Sequence, residues 1–146
     1  MDKNEIISRV KKLLKESRNV VMVLTVDKFN APHGRYMDGT PGEDGLTLYF
    51  DSFMNTDKVE EIKNNPNAEV IVAGKNLIET ANISGAMSFC TDNEDKTYSS
   101  KKSFLISRFS GINPEDIVIF KFVPKAVKYL NSKAALRPLP IYKIVL

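Results

Sequence analysis

The hydrophobic pattern of the chain begins with a helical period and then changes to strand-like runs. Between residues 2 and 17, charged residues separate apolar side chains at intervals of three and four: Ile6, Ile7, Val10, Leu13 and Leu14. This spacing predicts an amphipathic helix with one face on a core. Asp2 or Asn4 could cap its first turn, because both residue types accept hydrogen bonds from helix N-termini.

Runs of β-branched and apolar residues then predict a series of strands. They cover residues 19–26, 46–51, 68–73, 77–89, 117–123, 126–131 and 141–146, and residues 34–38 could form a further strand. Gly85 interrupts one long run and predicts a bulge or bend, whereas Pro124 separates two runs and predicts two strands there. Most of these runs are joined by short loops, which favours antiparallel pairing.

Two further helices are predicted between the strands. Asp57–Asn64 is short, carries Asp57 and Glu60 at capping-box spacing, and stops before Pro66. Residues 93–109 also look mostly helical, while the Gly-, Pro- and Asp-rich residues 38–45 predict an exposed loop. The expected fold is mainly β: a six- to seven-stranded antiparallel β-barrel with helices packed outside.

Composition and charge limit the class of protein. A chain of 146 residues with 42% apolar and 27% charged residues predicts one soluble globular domain, residues 1–146. A net charge of only +3 argues against a nucleic-acid partner. The chain has no apolar run long enough to cross a membrane, no signal-peptide pattern at its N-terminus and a single cysteine, Cys90, so we expect a cytoplasmic protein.

Several common chemistries have no motif here. The chain lacks the glycine patterns of dinucleotide-binding folds and of P-loops. It has no Cys or His cluster at zinc spacing, and His33 is the only histidine, so no metal site is predicted. No acid, base or nucleophile can be assigned as catalytic from the sequence.

Residues 46–66 carry the clearest candidate site. This stretch reads as a strand, a polar turn and a short helix, with Ser52, Asn55 and Thr56 in the turn and Lys58 at the helix start. Helix N-termini favour anions, so these residues predict a phosphate-type site. The alternative from spacing alone is a capped surface helix that follows a strand.

Three segments resemble the FMN-binding split β-barrels, the pyridoxamine-phosphate-oxidase-like family, and most closely its small bacterial general stress proteins. Residues 32–37 resemble the family's strand ending in Arg-Pro-Met, with Tyr36 at the proline position. The second segment resembles the family's aromatic strand end followed by Thr, Ser and Lys: it consists of Leu48-Tyr49-Phe50 and then Ser52, Thr56 and Lys58. Residues 62–66 end in the Asn-Pro that precedes its next strand.

The resemblance implies a homodimer that binds FMN in clefts at the subunit interface. It implies that Arg35 and Lys58 pair with the phosphate, and that Ser52 and Thr56 donate hydrogen bonds to it. The backbone along the isoalloxazine ring would come from two segments: Arg35, Tyr36 and Met37, and Tyr49 and Phe50.

The chain also departs from the family pattern. Asp51 and Asp57 bring negative charge near the expected phosphate, and Thr80 lies near a position where the oxidases use glutamine. The C-terminal Arg-and-His signature for pyridoxamine phosphate is absent, since the tail has only Arg137, followed by Pro138. The resemblance therefore implies an FMN-dependent oxidoreductase with another substrate. The alternatives are a non-catalytic flavin-binding stress protein, or a deazaflavin or haem binder on the same fold.

Overall fold

The computed structural model describes residues 1–133 and 141–146, which contain three helices and eight strands. The helices are α1 (Lys3–Glu16), α2 (Asp57–Asn64) and α3 (Lys96–Arg108). The strands are β1 (Val20–Val26), β2 (Pro32–Asp38), β3 (Thr40–Pro41), β4 (Leu48–Phe53), β5 (Asn67–Ala73), β6 (Glu79–Phe89), β7 (Ile117–Asn131) and β8 (Ile141–Val145). Arg137 and Pro138, considered above for a substrate role, lie outside the described residues.

All the strands belong to one antiparallel sheet that curls into a half-barrel. Its order is β2-β1-β5-β6-β7-β4-β3, and β8 pairs with β7 beside β4. The mainly β, antiparallel barrel with flanking helices is therefore confirmed. None of the helices in the described ranges is both long and apolar enough to cross a membrane.

Strand β7 differs from the prediction because it runs through Pro124 without a break. Ser84 pairs with Ala126 and Gly85 with Pro124, so Lys125 is an extra residue in β7 and forms a bulge. A bulge tolerates the missing N–H of proline. Gly85 is required at this point, because a Cβ there would lie 2.3 Å from the carbonyl oxygen of Val123. The predicted irregularity at Gly85 is thus confirmed, but the predicted division of the strand is wrong.

The loop predicted for residues 38–45 contains the short strand β3, which pairs with Leu48 and Tyr49 of β4. This pairing raises the strand number above the six or seven expected. Strand β3 pairs only with these two residues of β4. From Phe50 onwards, the edge of β4 on the β3 side has no described strand partner, and this part of the edge lies close to the end of β2.

The core lies between the inner face of the sheet and α1, whose capping box joins Asp2 to Glu5. Leu48 and Phe50 of β4 point into this core and are fully buried. Side chains of a strand alternate between faces, so Tyr49 points to the other side. There it packs in a smaller cluster beneath α3 with Cys90, Tyr98, Leu105 and Ile119.

Candidate functional site

Three elements bring the predicted phosphate-binding residues to one region. Strand β2 carries Arg35, strand β4 ends just after Ser52, and α2 begins after Thr56 with Lys58 in its first turn. Helix α2 packs on β1, and β1 pairs Val23 with Arg35. The strand, turn and helix predicted for residues 46–66 are therefore positioned beside the predicted Arg35.

The N-terminus of α2 has no side-chain cap. Its N-cap is Thr56, in extended conformation, and not Asp57, so the predicted capping box of Asp57 and Glu60 is wrong. The Thr56 hydroxyl donates instead to the carbonyl of Phe53 at 2.9 Å, and it lies 3.1 Å from the Ser52 hydroxyl. Because no side chain satisfies the first N–H groups, the helix end keeps the partial positive charge that attracts anions.

Arg35 is held by β1 and α2. Its Nη1 donates to the Thr25 hydroxyl at 2.6 Å, and its Nη2 lies 3.2 Å from Oε2 of Glu61. The Thr25 hydroxyl also donates to that carboxylate oxygen. The Arg35 side chain remains 25% exposed, while the Glu61 side chain is buried.

Lys58 is a half-buried cation near Arg35. Burial lowers the pKa of its ammonium group, and the positive charge of Arg35 lowers that pKa further, while Asp51, Glu61 and Asp57 oppose the shift. Lys58 belongs to none of the ion pairs within 4.0 Å that occur in residues 1–133 and 141–146. Two neighbouring cations at an uncapped helix end form a surface that an anion would stabilise.

The two acidic residues near the site differ in their surroundings. Asp51 forms an ion pair with Lys101 of α3, whose Nζ lies 3.0 Å from Oδ1, so its charge is compensated. Asp57 is exposed in the first turn of α2, where a carboxylate interacts favourably with the helix dipole.

The aromatic and apolar residues of the expected ring-binding segments lie apart from one another. Tyr36 is 74% exposed on the outer face of β2, Met37 is partly buried against the core, and Phe50 is fully buried within it. Tyr49 is buried on the α3 side, where its hydroxyl donates to Asp95 at 2.6 Å. Burial, and then the Asp95 carboxylate, raise the pKa of Tyr49 to about 12. Phe50 could therefore line a ligand only through its backbone, and the Tyr49 side chain does not belong to the lining of the cleft between α3 and the ends of β2 and β4.

A cleft of about 660 Å³ adjoins these segments. It lies between α3 and the ends of β2 and β4, and its lining includes Asp38, Thr40, Asp51, Lys101 and Phe104. Its volume is within the range of small-molecule and cofactor sites. Asp38 follows Met37 and Asp51 precedes Ser52, so the cleft borders both predicted segments.

The sequence interpretation missed Thr25, Glu61 and Lys101. Thr25 could have been found, because it is a polar residue within the apolar run of β1. Nothing in the sequence distinguishes the buried Glu61 from its exposed neighbour Glu60, since the rotation of α2 against the sheet decides which one points inward. Lys101 is likewise brought to Asp51 only by tertiary packing.

Comparison with known proteins gives matches over most of the chain. Residues 7–131 match the family model for pyridoxamine 5'-phosphate oxidase. General stress protein 26 of Bacillus subtilis is 31% identical over 138 residues, which cover 90% of this chain and 93% of that protein. A crystal structure of a protein related to general stress protein 26, from Clostridium acetobutylicum, superposes with a TM-score of 0.73 at 17% identity, and covers 100% of this chain and 97% of that one.

Two other structures share the fold and have names that mention a cofactor. An FMN binding protein from Nostoc punctiforme has a TM-score of 0.68 at 14% identity, with 95% of each chain covered. A heme binding protein from Mycobacterium smegmatis has a TM-score of 0.70 at 10% identity, and covers 95% of this chain and 57% of that one. At these identities the likeness concerns the fold alone. The family model and the B. subtilis relative show that this chain belongs to the pyridoxamine 5'-phosphate oxidase family.

Proposed function

We propose that this protein binds FMN and is a flavin-dependent oxidoreductase that acts on a small substrate other than pyridoxamine phosphate. The observation that carries the proposal is the phosphate-type site. Lys58, without an ion-pair partner in the described residues, stands beside Arg35 at the uncapped start of α2. Charge-assisted hydrogen bonds to phosphate are among the strongest that a protein can offer a ligand.

The hydroxyl groups of Ser52 and Thr56 fit the same ligand. They lie 3.1 Å apart at the end of β4, and neither is used to cap α2. Both could turn to donate to a phosphate oxygen while keeping their backbone positions. Lys58 and Arg35 would supply the charge, and the first N–H groups of α2 would supply further donors.

The cleft beside β2 and β4 fits the rest of the cofactor. The edge of β4 from Phe50 onwards and the backbone from Arg35 to Met37 would lie along the isoalloxazine ring. When bound, FMN supplies hydride and one-electron chemistry, and the protein supplies binding, orientation and a cleft that limits water. We also propose a homodimer, which would cover the exposed Tyr36 and complete the cleft at the subunit interface.

A haem ligand is harder to accommodate. His33 is the only histidine, and its Nε2 lies 2.8 Å from the Asp27 carboxylate at an exposed position. With Nε2 engaged in this contact, Nδ1 is the ring nitrogen left to ligate iron, and His33 is not among the residues that line the 660 Å³ cleft. A non-catalytic flavin carrier uses the same site and differs only in whether the bound flavin turns over.

The absorbance spectrum of the purified protein tests the proposal. Flavin bands that stay with the protein through gel filtration, or that appear after added FMN, are the expected result. A Soret band would indicate haem, and a colourless protein that does not bind added FMN would refute flavin binding. Reduction of the bound flavin by NADH or NADPH, followed by steady turnover with an electron acceptor, would distinguish the enzyme from the carrier.

A further inference from the structure

Glu61 is a buried carboxylate within the proposed phosphate site. One of its oxygens, Oε2, accepts a hydrogen bond from the Thr25 hydroxyl and another from Arg35 Nη2. Arg35 Nη1 donates to the same hydroxyl of Thr25. The three side chains, from α2, β1 and β2, form a closed hydrogen-bonded ring, in which Thr25 is fully buried and the Glu61 side chain is 9% exposed.

This ring occupies one edge of the Arg35 guanidinium. The terminal edge, formed by Nη1 and Nη2, faces Thr25 and Glu61. Within the described part of the chain, Nε–H and the second N–H of Nη2 donate no hydrogen bond. These two groups form the lateral fork of a guanidinium, whose spacing matches two oxygens of a phosphate.

Charge balance gives Glu61 a second role. The positive charge of Arg35 is close enough to disfavour the charged form of Lys58, and the Glu61 carboxylate favours that charged form. A buried carboxylate is stable only when it is paired with a positive charge. Two cations held close together likewise need a negative charge beside them. Glu61 therefore supplies, from within the protein, the negative charge that a phosphate would otherwise supply.

We propose that Glu61 is the internal counter-ion of the phosphate site: it stabilises Arg35 in the ligand-free protein and thereby weakens the binding of phosphate-bearing ligands. This inference rests on the proposed function. It concerns the phosphate alone, because the ring of the flavin lies against other segments. The protein would then keep its folded site without ligand and exchange the cofactor more readily than a site with two uncompensated cations.

A competing explanation gives Glu61 the opposite effect. If its main role is to fix the Arg35 rotamer, removal of the carboxylate would weaken phosphate binding, because the arginine would lose its orientation. The two explanations predict changes of opposite sign in the affinity for FMN. Riboflavin, which has the ring and lacks the phosphate, reports any general change in the cleft.

The decisive experiment compares Glu61→Gln with Glu60→Gln, a matched control because Glu60 is exposed on the same helix. For Glu61→Gln we expect about tenfold tighter FMN binding, which is the order expected for loss of one nearby like charge. Riboflavin affinity should not change. Without ligand, the melting temperature of Glu61→Gln should be lower than that of the wild type. Inorganic phosphate should raise the melting temperature of this variant more than that of the wild type.

Weaker binding of FMN by Glu61→Gln, or equal changes for FMN and riboflavin, would overturn the inference. If this variant does not fold, Glu61→Asp serves instead, because it keeps the charge and shortens the side chain. Its FMN affinity should stay within about twofold of the wild type, and a larger loss would indicate the orienting role. Wild-type protein that binds neither FMN nor phosphate would refute the proposed function itself, before any variant is compared.

Discussion

Lys101 of α3 holds Asp51 of β4 in an ion pair of 3.0 Å between Nζ and Oδ1. The same ammonium donates to the Thr40 hydroxyl at 2.9 Å, and the Lys101 side chain is only 10% exposed. Asp51 directly precedes Ser52, so this contact compensates a negative charge next to the proposed phosphate site. Helix α3 thus affects the electrostatics of a site to which it contributes no predicted phosphate ligand.

Replacement of Lys101 by Met should therefore weaken FMN binding. The uncompensated Asp51 carboxylate would repel the phosphate, with a loss of roughly three- to tenfold at low salt and a smaller loss at high salt. Titration of flavin fluorescence at two ionic strengths measures both effects. The double variant Lys101→Met/Asp51→Asn should recover the affinity, and Lys102→Met on the same helix serves as the control. No recovery in the double variant would show that Lys101 acts through packing.

Replacement of Lys58 by Ala should reduce FMN affinity without unfolding the protein. Loss of one charge-assisted contact to phosphate costs about 1.5–3 kcal/mol. Lys58 has no ion-pair partner among the described residues, so its removal leaves no opposite charge unpaired. The matched control is Lys63→Ala, on the same helix but paired with the exposed Glu60. Equal FMN affinities of the two variants would mean that the phosphate binds elsewhere.

Replacement of Arg35 by Ala should destabilise the fold itself. It would leave Glu61 as a buried, unpaired carboxylate, which should lower the free energy of unfolding by about 3 kcal/mol. This value is at the lower end of the range for buried pairs, because Arg35 is partly exposed. Urea unfolding measures the loss. Arg9→Ala, which breaks only a surface pair with Glu79 at 3.7 Å, should cost less than about 1 kcal/mol. A loss of FMN binding in Arg35→Ala is thus informative only beside its unfolding curve.

The titration of His33 should report its contact with Asp27. The hydrogen bond to Asp27 raises the pKa of His33 above its ordinary value of 6.5. A raised pKa adds stability below the unfolded-state pKa, and this stability is lost as pH rises through the folded-state pKa. Because the chain has one histidine, its ring protons give a single NMR titration curve. Asp27→Asn should lower the midpoint, and an unchanged midpoint would show that the pair does not form in solution.

Replacement of Gly85 by Ala should lower the free energy of unfolding by about 1–3 kcal/mol, as expected for a side chain forced into a packed space. The new Cβ would lie 2.3 Å from the Val123 carbonyl oxygen and 2.8 Å from the Phe122 ring. Gly34→Ala is the control in another strand, because the atoms nearest to its Cβ would be side-chain atoms of Met22 and Leu24, at 3.5 Å or more. Thermal unfolding of both variants tests this difference, and similar melting temperatures would contradict it.

Local patterns predicted much of the fold. The bounds of α2 match the expected Asp57–Asn64. They could be predicted because the apolar spacing of the helix and the Pro66 that follows it are both local features of the sequence. The course of β7 could not be predicted in this way. Pro124 is accommodated because Gly85, far away in the sequence, lies opposite it across a bulge. Likewise, the cap of α2 depends on which residue remains extended, and this proved to be Thr56.

The candidate site also combines residues that local patterns predict with residues that they do not. Ser52, Thr56 and Lys58 lie within one short segment, so their proximity could be read from the sequence. Arg35 was connected with them only through the family resemblance, and the structure places it beside Lys58. Glu61 and Lys101 were missed because their contacts depend on how helices pack against strands. The residues that set the charge of the site are therefore those that local patterns describe least well.

The pairing of β4 with β7 also fixes when the site can form during synthesis. Phe53, one residue after Ser52, pairs with Ile117, and Leu48 pairs with Phe122. Apart from β7, the described neighbour of β4 in the sheet is the two-residue β3, so β4 stays almost unsupported until the ribosome has made most of the chain. Domains fold as units once such distant contacts become available. A nascent chain that ends before β7 should therefore bind no flavin, even though every predicted phosphate ligand has already been synthesised.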